Sequence, residues 1–128
     1  MTDADHLIDQ ARRARRDGDR ATALDLYRAA AAGAGGATQR AHCLRHIGDL
    51  AHELGRDDEA RAALDEAEVL YRGAVDDPLS LANTIRLRAL LDDDRMAWRE
   101  AGALYDAAAL RTGLDLAVAV EECARRGQ

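Results

Sequence analysis

Gly18-Asp19-Arg20-Ala21-Thr22-Ala23-Leu24-Asp25-Leu26-Tyr27-Arg28-Ala29-Ala30 is answered, 37 residues on, by Gly55-Arg56-Asp57-Asp58-Glu59-Ala60-Arg61-Ala62-Ala63-Leu64-Asp65-Glu66-Ala67. Each stretch places an alanine five residues after the glycine (Ala23, Ala60), a large apolar residue four further (Tyr27, Leu64) and a second alanine three after that (Ala30, Ala67). That spacing lays small and large residues on one face of a helix that follows a glycine stop. A partial third copy carries Trp98, Ala101 and Leu104-Tyr105, the last pair echoing Leu70-Tyr71 after 34 residues. A repeat of this length marks stacked supersecondary units, each too small to bury its apolar face alone.

Working outward, helical periodicity accounts for most of the chain. Leu7, Ile8, Ala11 and Ala14 form a stripe that ends at Asp17-Gly18, and Ala23, Tyr27 and Ala30 form the next, running into Gly33-Ala34-Gly35-Gly36. A third helix carries Leu44, Ile47, Ala51 and Leu54, with Thr38 predicted as its N-cap and Gly55 as its stop. The fourth lines up Ala60, Leu64, Ala67 and Tyr71. Asp77-Pro78 opens a fifth with Leu81, Ala82, Ile85 and Ala89, and Asp92-Asp93-Asp94 separates it from a sixth with Trp98, Ala101 and Tyr105. Thr112 is predicted to start a seventh. The expected architecture is all-α: three antiparallel helix pairs in one domain, at about 4–34, 38–73 and 78–110, plus a helix at about 112–126.

Composition agrees. The apolar share is 48%, with alanine its largest component, no Phe, one Trp and one Pro in 128 residues, so the core must bring helix axes close rather than fill wide gaps. All 18 basic residues are arginine, as a GC-rich codon bias would produce; arginine is also the better side chain for bidentate carboxylate contacts. A net charge of −6 disfavours general affinity for nucleic acid or anionic membrane. Cys43 and Cys123 stand apart without a disulfide framework, and Asp3 and Asp5 precede the first apolar pair, unlike a signal peptide. A cytoplasmic location is expected.

The glycine–alanine–large–alanine line, with Gly48 and Ala51 on the preceding helix, resembles the tetratricopeptide repeat. In that family small residues occupy the crossing of two helices. The resemblance assigns this packing role to Ala11, Ala23, Tyr27, Ala30, Gly48, Ala51, Ala60, Leu64, Ala67, Trp98 and Ala101. Repeat three departs from the pattern, since Asp94 stands where Ala23 and Ala60 stand. The resemblance further implies an α-solenoid whose first helices line a concave groove. On the faces those helices leave free are His42, Arg45, Asp49 and His52, with Arg12 and Arg15 at corresponding steps of repeat one and Asn83 and Arg86 in repeat three. This polar, largely cationic set in an acidic chain is similar to family members that grip a carboxylate-ended peptide. The expected function is an adaptor that binds an acidic or carboxylate-terminated peptide segment in this groove, with an ordinary solvated face as the plain alternative.

Other constellations carry less. His42 and His46, four apart, have the spacing of a metal pair but no third ligand on their face, and read as ordinary surface histidines. Arg12-Arg13-Ala14-Arg15-Arg16 lacks the aromatic residues that stack on nucleic acid bases. Asp92-Asp93-Asp94, even with Glu100 nearby, reads as helix capping. With no nucleophile–base set, phosphate loop or cofactor fingerprint, no enzyme, metal or cofactor is expected. The last helix carries two apolar stripes, Leu116, Val120, Cys123 and Leu114, Ala117, Val118. The second stripe either fills a gap left by the irregular third repeat or meets a second copy, so that a homodimer through Leu116, Val118 and Val120 is the alternative function.

Overall fold

A computed structural model describes residues 2–128, and among them the chain forms seven α-helices and no strand. They are α1 (Asp3–Arg16), α2 (Arg20–Ala32), α3 (Ala37–Glu53), α4 (Asp57–Gly73), α5 (Pro78–Asp92), α6 (Arg95–Thr112) and α7 (Ala117–Arg126). The chain falls into two compact units, one ending at Val75 and the other beginning at Asp76. None of the described helices is long and apolar enough to cross a membrane.

In the first unit, α1 to α4 pack consecutively. Local chemistry fixes their ends. Thr2 and Asp5 form a reciprocal capping box on α1, and the Asp19 carboxylate accepts the Thr22 N–H at the start of α2. Gly18 and Gly55 take φ of 82° and 76°, a left-handed geometry that a side chain resists, and so turn the chain between paired helices. Thr38 does not cap α3: the helix begins one residue earlier, at Ala37, with Gly36 in the cap position. Ala11, Ala23, Tyr27, Ala30, Gly48, Ala51, Ala60, Leu64 and Ala67 are all buried. The tightest crossing is α3 on α4, where a Cβ on Gly48 would stand 2.6 Å from Leu64 Cδ2 and Cγ. Burying a leucine such as Leu64 stabilises by about 1.5–3 kcal/mol, and the missing Gly48 side chain is what lets it reach full burial.

In the second unit, Asp77 caps α5 through the Ser80 N–H, with Pro78 in the first turn. Asp93 supplies a left-handed C-cap and Asp94 accepts the Ala97 N–H, so two of the three aspartates join α5 to α6. Asp94 therefore caps where Ala23 and Ala60 pack, and α6 starts after the position that aligns with them. Trp98 and Ala101 are buried on α6, beside Ala97. The expected helix start at Thr112 is not observed. Thr112 ends α6, its hydroxyl donating to the Ala108 carbonyl, because Gly113 takes φ 75° and stops the helix. Leu114 and Leu116 lie before α7 rather than in it. Within α7, Cys123 is buried, Val120 half-buried and Val118 exposed; before it, Leu116 is half-buried and Leu114 exposed.

Candidate functional site

Two side-chain contacts set the register of α1 beside α3. Gln39 Nε2 donates to Asp5 Oδ1 at 2.8 Å, and Arg15 Nη2 donates to Asp49 Oδ2 at 2.6 Å; both pairs are 34 residues apart. The same offset near both ends of α1 means that the two helices run parallel, side by side. Tyr27 rises from α2 between them, and its ring stacks on His46 at 4.7 Å between centroids and 10° between planes.

Two clefts share the stacked pair in their lining. One, of about 410 Å³, has Ile8, Tyr27 and Cys43 as its apolar lining, with Asp5, Asp9, Gln39 and His42 at its polar edge. The other, of about 580 Å³, is lined by Arg12, Arg15, Arg16, Tyr27, His46 and Asp49. Arg12, Tyr27 and His46 belong to both. These volumes lie in the range of ligand sites.

The charges differ in how they are answered. Arg15 meets Asp49 and, at 3.0 Å, Glu53, which also accepts from Arg20. It is neutralised within the unit. Arg12 is 64% exposed and, among the described residues, pairs only with Asp9, at 3.8 Å. Arg16 and Arg45 have no carboxylate in ion-pair distance among the described residues. Arg45 Nη2 lies 3.4 Å from His46 Nε2, while its Nε is buried and finds no acceptor. Burial, then the positive charges of Arg45 and Arg15, push the His46 pKa down to about 3, so the ring is neutral. Because an arginine can only donate, Nε2 accepts and the ring proton sits on Nδ1. That Nδ1 is also buried without a partner. Two donors beside the clefts thus want an acceptor, and such orphans call for an explanation.

The remaining groove residues are engaged elsewhere. His42 Nδ1 pairs with the Tyr71 hydroxyl, and His52 Nδ1 lies 3.1 Å from Asp57 Oδ1. In the second unit, Asn83 Oδ1 accepts the Tyr105 hydroxyl at 2.6 Å and Arg86 Nε donates to Glu122 Oε1 at 2.7 Å. No group of three or more His, Cys, Asp or Glu side chains converges among the described residues as a metal site would need.

Sequence periodicity placed His46 at the flank of the polar face, as a surface histidine, and assigned Arg16 no role. The structure puts His46 against Tyr27 and Arg16 on the cationic cleft. Helical periodicity held no signal for either, because the ring that meets His46 comes from another helix.

The chain matches no family model, no curated protein and no solved structure.

Proposed function

We propose that the chain is a small tetratricopeptide-like adaptor whose first unit binds an anionic peptide segment, acidic or carboxylate-ended, across α1 and α3. The observation that carries this reading is the contrast among the arginines of that face. Arg15 is matched by Asp49 and Glu53, whereas Arg12 is largely exposed with Asp9 at 3.8 Å and Arg45 has no carboxylate in ion-pair distance among the described residues. Charge-assisted hydrogen bonds from such donors are the strong ones, and arginine forms them in pairs. The buried free thiols of Cys43 and Cys123 suit a reducing cytoplasm. Asn83 and Arg86 are assigned to holding their own unit together, and the ligand face is narrowed to Arg12, Arg45 and their neighbours.

Titration of the 15N-labelled protein with a blocked glutamate-rich peptide should move the amide signals of α1 and α3, and a lysine-rich control should leave them still. An Arg12→Ala, Arg45→Ala double variant should bind at least about tenfold more weakly, the loss of one charge-assisted contact. Equal binding by the variant, or by the lysine-rich peptide, would remove the support for this reading.

A second reading has its own observation: Val118 is 83% exposed and Leu114 51% exposed at the start of α7. We propose self-association there as the alternative, with the half-buried Leu116 and Val120 at its inner edge. A strictly monomeric mass in native mass spectrometry at high concentration eliminates it.

A further inference from the structure

Along the α1 wall of the two clefts the charge changes sign once. Asp5, Asp9, Arg12 and Arg16 are spaced 4-3-4 and so stand in one row on the helix. Asp5 and Asp9 line the cleft of about 410 Å³, Arg16 lines the one of about 580 Å³, and Arg12 lines both. Among carboxylates and guanidinium groups, the first cleft sets Asp5 and Asp9 against Arg12. The second sets Arg12, Arg15 and Arg16 against Asp49, with Glu53 beside them shared by Arg15 and Arg20. One end of the site is acidic and the other basic. The Asp5 carboxylate accepts from the Thr2 N–H and hydroxyl and from Gln39 Nε2, neutral donors that hold its pKa below the ordinary value and leave its charge in place. Asp9 lies 3.8 Å from Arg12, too far for a hydrogen bond. The helix dipole favours acids in the first turn and bases in the last, and fades beyond them; Asp9 and Arg12 lie between those turns of α1, so it does not explain their order. The apolar lining, Ile8, Tyr27 and Cys43, belongs to the acidic cleft. A uniformly acidic segment would be attracted at Arg12 and Arg16 and repelled at Asp5 and Asp9, and such like-charge contacts are how wrong partners are rejected.

We infer, resting on the anionic-peptide reading, that the recognised segment is bipolar and lies along α1 in one orientation. Its acidic or carboxylate end meets Arg12 and Arg16, an apolar residue meets Ile8, and a basic residue meets Asp5 and Asp9. Asp9 is then a specificity-determining residue, which turns away segments that are acidic throughout. Arg16 stands 11 positions after Asp5, ~17 Å along the helix, a span that an extended chain covers in ~5 residues.

The test compares two blocked peptides by the same 15N titration: lysine-serine-leucine-serine-glutamate, and the same peptide with glutamate in place of the lysine. The bipolar peptide should bind about threefold tighter, the scale of a partly exposed charge contact. Asp9→Asn, with an unchanged circular dichroism spectrum, should bring the two affinities together by strengthening the double-glutamate peptide and weakening the bipolar one. A nitroxide at the glutamate end of the bipolar peptide should broaden the amide signals of residues 12–16 more than those of residues 6–9, and a nitroxide at the lysine end should do the reverse. Equal affinity of the two peptides for the wild-type protein overturns the inference and leaves the anionic-peptide reading standing. A preference that survives Asp9→Asn also overturns it, because the net charge of the chain would then be its source. Broadening that does not depend on which end carries the nitroxide overturns the single orientation. If neither peptide binds, both readings fall.

Discussion

Gly48 is where the packing has least room. An added Cβ would press on Leu64, which is fully buried and cannot swing into solvent. Gly48→Ala should therefore destabilise the first unit by ~1–3 kcal/mol in urea unfolding, although alanine is the better helix former by ~1 kcal/mol. Leu64→Val in that background should recover part of the loss. His46 yields a prediction of a different kind. Its proton is disfavoured in the folded state, where the pKa is about 3, against an ordinary value of 6.5. Between these values the unfolded chain binds the proton and the folded one does not. Stability is thus complete above pH 6.5 and falls as the pH drops below it, by at most about 1.4 kcal/mol per unit. Urea midpoints from pH 7 to 5 should show this slope, and His46→Gln should flatten it. The alanine and glycine spacers were readable from the sequence because their pattern depends only on helical period. The His46 environment was not, because a tyrosine from α2 and arginines from α1 and α3 create it.

At the scale of elements, α7 is held by a small polar network. Glu122 accepts from Arg86, and its second oxygen lies 3.6 Å from Arg126 Nε. Both guanidinium groups approach the Trp98 ring, at 6.0 and 5.0 Å from its centroid. Arg99 Nε donates to the Gly127 carbonyl at 2.6 Å, and Gly102 lets Cys123 approach α6 closely. Glu122→Ala should release both arginines and loosen α7. Its amides should then exchange with deuterium faster, while those of α1 to α3 keep their wild-type rates. No change in α7 exchange would mean that the apolar contacts of Cys123 and Trp98 hold the helix without the network. Most helix ends followed from Gly18, Gly55, Asp77 and Asp94, residues whose capping chemistry is local. The α6–α7 junction did not. Thr112 is as good a cap as it is a helix terminator, and only the left-handed Gly113 decides between the two. Likewise, the polar face of α5 looked like ligand surface until α7 supplied Glu122, a partner 36 residues away in sequence.

Across the whole molecule, every basic side chain is arginine, and the ion pairs just described belong to that one residue type. Arg28 with Glu59 and Arg111 with Asp76 show the consequence for the acids. In each pair the arginine hydrogen bond holds the carboxylate pKa below its ordinary value, so acid weakens both pairs as it protonates the carboxylate. Alkali has no corresponding hold. A lysine would begin to lose its proton near pH ~10, whereas arginine keeps its own beyond pH ~12. The first groups to oppose folding as pH rises are the thiols of Cys43 and Cys123. Burial raises both above their ordinary value of 9.0, so the folded state keeps protons that the unfolded chain gives up. Tyr27 follows, its phenol also raised by burial from 10.0. The protein is therefore lopsided toward base: acid weakens its ion pairs one carboxylate at a time, and what yields first in alkali is the sulfur in its core.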